Sequence, residues 1–170
     1  LMIRRPPRST HTQSRRQRQM CIRDRIKSQI KGKSFPENAL IFEVKESVAV
    51  THLKNTKALA ESLRKMKCGF VLDDFGSGTN PFQLLDHIDA DYIRLDKSFM
   101  EDLIDSPQNQ EMIKKITEQA SELGKFTIAQ FVKDANSLSL LWGMGVNFIQ
   151  GYFLQEPQPE MTYDFTDIAG

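Results

Sequence analysis

The stretch GFVLDDFGSG, Gly69–Gly78, is a short apolar run that ends in two aspartates and a glycine-rich turn. A run of this length bounded by glycine reads as a buried strand whose polar residues gather at its C-terminal end. The same grammar repeats on either side. Ala39–Glu46 (ALIFEVKE) is a strand candidate that turns polar at its end. Between the two, Ala49, Leu53, Thr56, Ala60 and Leu63 recur at alternating steps of four and three, which predicts a helix. Asn80–Asp86 reads as a short helix and Asp91–Phe99 (DYIRLDKSF) as a third strand. Met112–Leu123 is a helix with Ile113, Ile116, Ala120 and Leu123 on one face and Gly124 as its stop. Phe126–Val132 is a fourth strand, Ala135–Trp142 a helix and Asn147–Leu154 a fifth strand. The tail EPQPEMTYDFTDIAG reads as a loop leaving the domain.

Alternating strands and helices at this spacing predict a parallel sheet with helices outside, in the α/β class. A (β/α) barrel needs about eight strands. Five predict the C-terminal part of a truncated, modified TIM barrel, with an open doubly wound sheet as the alternative. Half a barrel leaves strand edges unpaired and inner faces uncovered. Residues 26–170 alone are therefore not expected to form a stable soluble monomer.

The chain has 170 residues and a net charge of +1, which conceals a split. Eight of its 23 basic residues and one of its 22 acidic ones lie in residues 1–25, so residues 26–170 carry a net charge of −6. This body gives no reason to expect a nucleic acid polymer as partner. No apolar stretch approaches the roughly 18–20 residues that span a bilayer, so no membrane is expected for this fragment. Cys21 and Cys68 are far apart in unlike surroundings. They suggest neither zinc nor a disulfide framework and fit a reducing, cytoplasmic compartment. A buried thiol is the reading for Cys68.

The head, LMIRRPPRSTHTQSRRQRQMCIRDR, has no helical or strand period and little to bury. A basic arm for nucleic acid or an anionic membrane and a targeting peptide are two readings. The third, which we favour, is an artefact, because the string resembles translated sequencing-adapter DNA. Residues 1–25 are accordingly set aside, 26–157 are read as one partial domain and 158–170 as a tail.

Polar residues occupy the ends of successive strands: Glu43 and Glu46, Asp73 and Asp74, Arg94 and Asp96, Gln130 and Lys133, then Gln150 and Gly151. In a parallel barrel these ends converge on the face that carries active sites. Taken singly, such residues are often structural: Glu43 could simply end a strand, and Asp96 and Lys97 could be solvated ions. Paired aspartates are costly to bring together without a cation. The pattern points to a divalent metal with oxygen ligands or to a phosphorylated ligand.

LIFEVKES, GFVLDDFGSG, DYIRLDKSF and FIQGYFLQEP, in that order, resemble the second half of an EAL domain, a bacterial family that hydrolyses or senses cyclic di-GMP. The resemblance runs from about Ile26 to Pro157, and the family's modified TIM barrel agrees with the strand count. It implies that Glu43 is a metal-binding glutamate and Glu46 the second glutamate of the same motif, with Lys45 in place of the usual threonine. It implies that Asp73 and Asp74 are the aspartate pair that holds divalent ions, and that Gln150 supports the site. The family's catalytic lysine falls on Arg94, and two of its glutamates fall on Gln130 and Lys133. The Glu-Ala-Leu motif and a metal-binding asparagine would lie upstream.

These departures remove negative charge where two-metal hydrolysis needs it. Arg94 is a fork suited to a phosphate and does not readily lose its proton. AQFVKD and IQGYFLQ further resemble degenerate EAL domains of regulators of type IV pilus twitching motility, which bind cyclic di-GMP without cutting it. In that subgroup the residue matching Phe131 stacks on a guanine; a core aromatic is the other reading of Phe131. The expectation is a cyclic di-GMP receptor with Asp74, Arg94, Phe131 and Gln150 as ligand-binding residues. A protein partner, or an upstream sensor or GGDEF domain, would receive or supply the signal. The runner-up is an active phosphodiesterase using Mg²⁺ or Mn²⁺ on Glu43, Asp73 and Asp74 to produce pGpG. A third reading is an interaction platform that binds no nucleotide.

Overall fold

The computed structural model describes residues 24–30, 32–33, 35–78, 81–154, 156 and 159–160. Most of the basic head, Cys21 and residues 161–170 lie outside the described residues. The chain divides into two units, Leu1–Ser34 and Phe35–Gly170. In the first, residues 24–30 are helical.

Among its described residues the second unit holds five strands: β1 (Ile41–Lys45), β2 (Gly69–Phe75), β3 (Tyr92–Leu95), β4 (Phe126–Ala129) and β5 (Phe148–Ile149). All neighbours are parallel, and the sheet order is β1-β2-β3-β4-β5. Its helices are α1 (Glu46–Thr51), α2 (Leu53–Lys65), α3 (Pro81–Leu85), α4 (Ser98–Glu101), α5 (Pro107–Glu122) and α6 (Ala135–Gly143). Crossovers between parallel strands are right-handed. A strand order that never reverses therefore puts every helix on the same face. The sheet is an arc of a (β/α) barrel. A doubly wound sheet, which reverses its order at a switch point, is ruled out.

Burial follows this one-sided cover. Phe70, Leu72, Ile93, Leu95, Thr127 and Ala129 alternate on the helix-covered face and are buried. Leu63 of α2, with Ile113 and Ile116 of α5, adds to this core. Each of the large apolar side chains among these contributes roughly 1.5–3 kcal/mol relative to exposure. On the other face Ile41, Phe126 and Phe148 remain about half exposed, and Tyr92, Phe126 and Phe148 pack as an aromatic trio. Among the described residues no helix is long and apolar enough to cross a membrane.

The strands are shorter than the sequence suggests. Glu46 is not on the first strand but opens α1, and the expected first helix is two, broken at His52 (φ −127°, ψ 40°). The third strand stops at Leu95. Phe99, read as its last residue, is a buried member of the α4 turn. The helix expected from Met112 begins at Pro107, because the Ser106 hydroxyl accepts from the Asn109 amide at 3.3 Å and proline suits the first turn. The fourth strand ends at Ala129 and the fifth at Ile149.

Candidate functional site

The C-terminal strand ends bring together the residues singled out in β1, β2 and β3. Glu43 and Lys45 share a face of β1. Lys45 lies opposite Asp73 in the parallel register. Asp73 and Asp74 are neighbours in a strand and would normally point to opposite faces. Here the register shifts between Leu72 and Phe75, and Asp74 adopts a left-handed conformation (φ 51°). Aspartate tolerates that region better than most residues. The turn re-aims Asp74, so that its Oδ2 lies 2.6 Å from Lys45 Nζ.

Arg94 is the hub. Its Nε donates to Asp73 Oδ1 at 2.8 Å, and its Nη2 donates to Glu43 Oε2. The Arg94 and Asp73 side chains are only 12% and 16% exposed, so this pair is shielded from solvent. Burial pulls the Arg94 pKa down, but the hydrogen bonds it donates to Asp73 and Glu43 outweigh this and hold the guanidinium charged. Asp74 is held below the usual carboxylate range, chiefly by the bond from Lys45, with Gln130 adding a further hydrogen bond. Gln130 Nε2 also donates to Leu95 O at 3.0 Å, which ties the end of β4 to that of β3.

Glu46 is buried beneath the DDFGSG loop, and its Oε2 accepts from the Gly76 amide at 2.8 Å. Burial pushes its carboxyl above the usual range, and the Gly76, Gly78 and Ser77 amides pull against that. A β-carbon on Gly78 would lie 2.3 Å from Glu46 Oε1, so a larger residue here would have to displace the Glu46 carboxylate. Glu46 thus positions the loop from below and stands apart from the carboxylates that meet Arg94.

Phe131 is 53% exposed, on a left-handed residue (φ 61°), and is not a core aromatic. It lines a shallow cavity with Met100, Leu103, Lys133, Asp134 and Ser137, none of which belongs to the Arg94 cluster. Gln150 follows β5, its side chain exposed, while its backbone accepts from Val132 N at 3.3 Å and donates to Ala129 O at 2.8 Å. A β-carbon on Gly151 would come within 2.3 Å of Val132 O, which accounts for a glycine after Gln150.

The three carboxylates expected from the sequence as metal ligands are engaged by cationic side chains in this arrangement. Glu43 and Asp73 both hold the Arg94 guanidinium, and Asp74 holds the Lys45 ammonium. Among the described residues no group of three or more His, Cys, Asp or Glu side chains is placed to hold an ion. Lys45, noted in the sequence only as a departure, is a member of the cluster. The signal for it was present, since it stands two residues after Glu43 on the same strand face.

Comparison with known proteins gives one family. The model of the EAL domain matches residues 7–157, a match that begins within the head set aside above. The cyclic di-GMP phosphodiesterase PdeB of Shewanella oneidensis is 30% identical over 129 residues, which are 76% of this chain and 15% of that protein. The crystal structure of the FimX EAL domain from Pseudomonas aeruginosa bound to c-di-GMP is similar with a TM-score of 0.79 and 34% identity, over 85% of this chain and 60% of that one. The Xanthomonas citri FimX EAL domain in complex with c-di-GMP gives 0.80 and 34%, over 85% and 57%. The chain thus spans less than two thirds of the length of these relatives.

Proposed function

The chain belongs to the EAL domain family, and from that premise we propose that it is a cyclic di-GMP receptor domain that binds the nucleotide without cutting it. The observation that carries this reading is the Arg94 guanidinium bonded to both Glu43 and Asp73. Metal-assisted hydrolysis needs those carboxylates for ions that activate water; here they serve a resident side chain. Arginine has five N–H donors in a rigid fork. Two are committed to the carboxylates, and the remainder can meet a phosphate oxygen. Arg94 and Lys45 offset two of the three charges of Glu43, Asp73 and Asp74, which reduces the repulsion that three bare carboxylates would present to a dianionic ligand.

In this reading Arg94 contacts a phosphate, the exposed ring of Phe131 stacks on a guanine, and Asp74 and Gln150 complete the polar contacts. The likeness to two FimX EAL domains solved with c-di-GMP supports it. A protein partner, or a sensor or GGDEF domain elsewhere in the protein, would transmit binding, and the site of action would be the cytoplasm. A second reading, an active phosphodiesterase using Mg²⁺ or Mn²⁺, is favoured by the relative named as a cyclic di-GMP phosphodiesterase.

Calorimetric titration of cyclic di-GMP into the full-length protein, beside an assay for pGpG with Mg²⁺ or Mn²⁺, separates the two. Binding without turnover is expected, and robust turnover would sink the receptor reading. Phe131→Ala should weaken binding by about tenfold, since base–aromatic stacking is worth roughly 1–3 kcal/mol. Its melting temperature should hold, because the ring lies outside the core.

A further inference from the structure

Arg94 answers two of the three strand-end carboxylates, Glu43 and Asp73. Asp74 is answered by a different element: Lys45 Nζ, from the end of β1, at 2.6 Å. We propose that Lys45 is a specificity-determining residue, whose fixed positive charge keeps divalent cations off the strand-end carboxylates and reserves the site for an anionic ligand. The inference rests on the receptor reading and extends it from Arg94 to a second resident cation.

The geometry gives Lys45 a task that Arg94 does not perform. The left-handed turn at Asp74 swings its carboxylate toward β1, to the face on which Lys45 stands opposite Asp73. Without Lys45, Asp74 Oδ2 would be released next to Asp73 in the chain, a hard oxygen donor of the kind divalent ions take. Glu43, Asp73 and Asp74 against Arg94 and Lys45 leave one net negative charge in the cluster, and loss of Lys45 doubles it. The Lys45 side chain is 62% exposed. Its effect is therefore one of charge in place rather than of a tight buried bond, and salt should weaken it.

The test titrates Mn²⁺ alone, with no nucleotide present, into the full-length protein and its Lys45→Met and Lys45→Arg variants. Lys45→Met should bind Mn²⁺ at least about tenfold more tightly than the unaltered protein, a factor of the size expected for one like charge near an ion. Adding Asp74→Asn should abolish the gain, and Lys45→Arg should show none. If Lys45→Met gains nothing, or if Lys45→Arg gains as much, the proposal is overturned. Lys45→Gln, equally neutral, serves if the methionine variant fails a thermal melt. The receptor reading fails separately, through absence of cyclic di-GMP binding by the unaltered protein.

Discussion

The two ends of the sheet each carry a cluster of charges, and they are built for different ends. At the N-terminal end Lys125 is buried, and its Nζ donates to Ala90 O at 3.0 Å and lies 3.4 Å from Asp89. Arg64 pairs with Asp89 and approaches Asp91 at 3.7 Å, while Asp91 Oδ2 accepts from the Phe70 amide at 2.8 Å. This cluster satisfies the backbone of β2 and of the approach to β3. At the C-terminal end Arg94, Lys45 and their three carboxylates form a side-chain network, with Glu43 and Asp73 on Arg94 and Asp74 on Lys45. They bond chiefly to one another, with Gln130 adding a bond to Asp74, and left-handed backbone occurs here at Asp74 and Phe131 as it does at Asn38 and Lys67 toward the N-terminal end. In (β/α) barrels the C-terminal face carries function and the N-terminal face stability.

Removing the hub of the C-terminal cluster should have the largest effect. Arg94→Ala deletes the charged donor proposed to meet a phosphate, and hydrogen bonds to charged groups are worth about 1.5–3 kcal/mol. Cyclic di-GMP affinity should fall by roughly ten- to a hundredfold. Arg94→Lys should retain part of it, as a point charge without the fork. Titration calorimetry measures both. Full affinity in Arg94→Ala would dissolve the contrast between the two ends.

The reverse substitution sharpens it. Lys125→Ala leaves Ala90 O without its buried donor and Asp89 short of a cation. It should destabilise the fold by about 1–3 kcal/mol, read by chemical denaturation, with nucleotide affinity of the folded protein unaltered. A selective loss of affinity without loss of stability would show that the N-terminal end is not merely structural.

The division between the ends was only partly legible in the sequence. Order and type of the strands were readable, because alternation of apolar runs with helical periods is set by which face each residue buries. Strand ends were not, because a buried aromatic such as Phe99 satisfies a strand pattern and a helical turn equally well. Glu46 shows the same ambiguity. Three residues past Glu43, it reads as a second strand-end acid, yet it starts a helix and faces the loop amides. The placement of Asp74 depends on one left-handed residue, which aspartate allows but does not announce. Lys45 could have been placed by alternation alone, but its partner could not, since that partner depends on the turn at Asp74.

The smallest effect concerns acid. In the folded protein the Asp74 carboxyl titrates below its usual range, held chiefly by Lys45. Such a group contributes stability above its unfolded pKa, and that contribution is lost as pH falls through the depressed folded value. Glu46 has the opposite sign. Burial raises its pKa, so its contribution is present below the unfolded value and is lost as pH rises through the folded one. The two groups therefore tilt the melting temperature in opposite directions on either side of the ordinary carboxylate range, near about pH 4. Asp74→Asn should flatten the decline on the acid side, and Glu46→Gln should flatten the decline above it. The Asp74 effect should be slight, because Lys45 is largely in solvent and the pair is screened by salt. Melting curves of the three proteins across this range, at low and high salt, decide the matter. If Asp74→Asn runs parallel to the unaltered protein at low salt, the Lys45–Asp74 pair contributes nothing to the folded state. The C-terminal cluster would then be held by Arg94 alone.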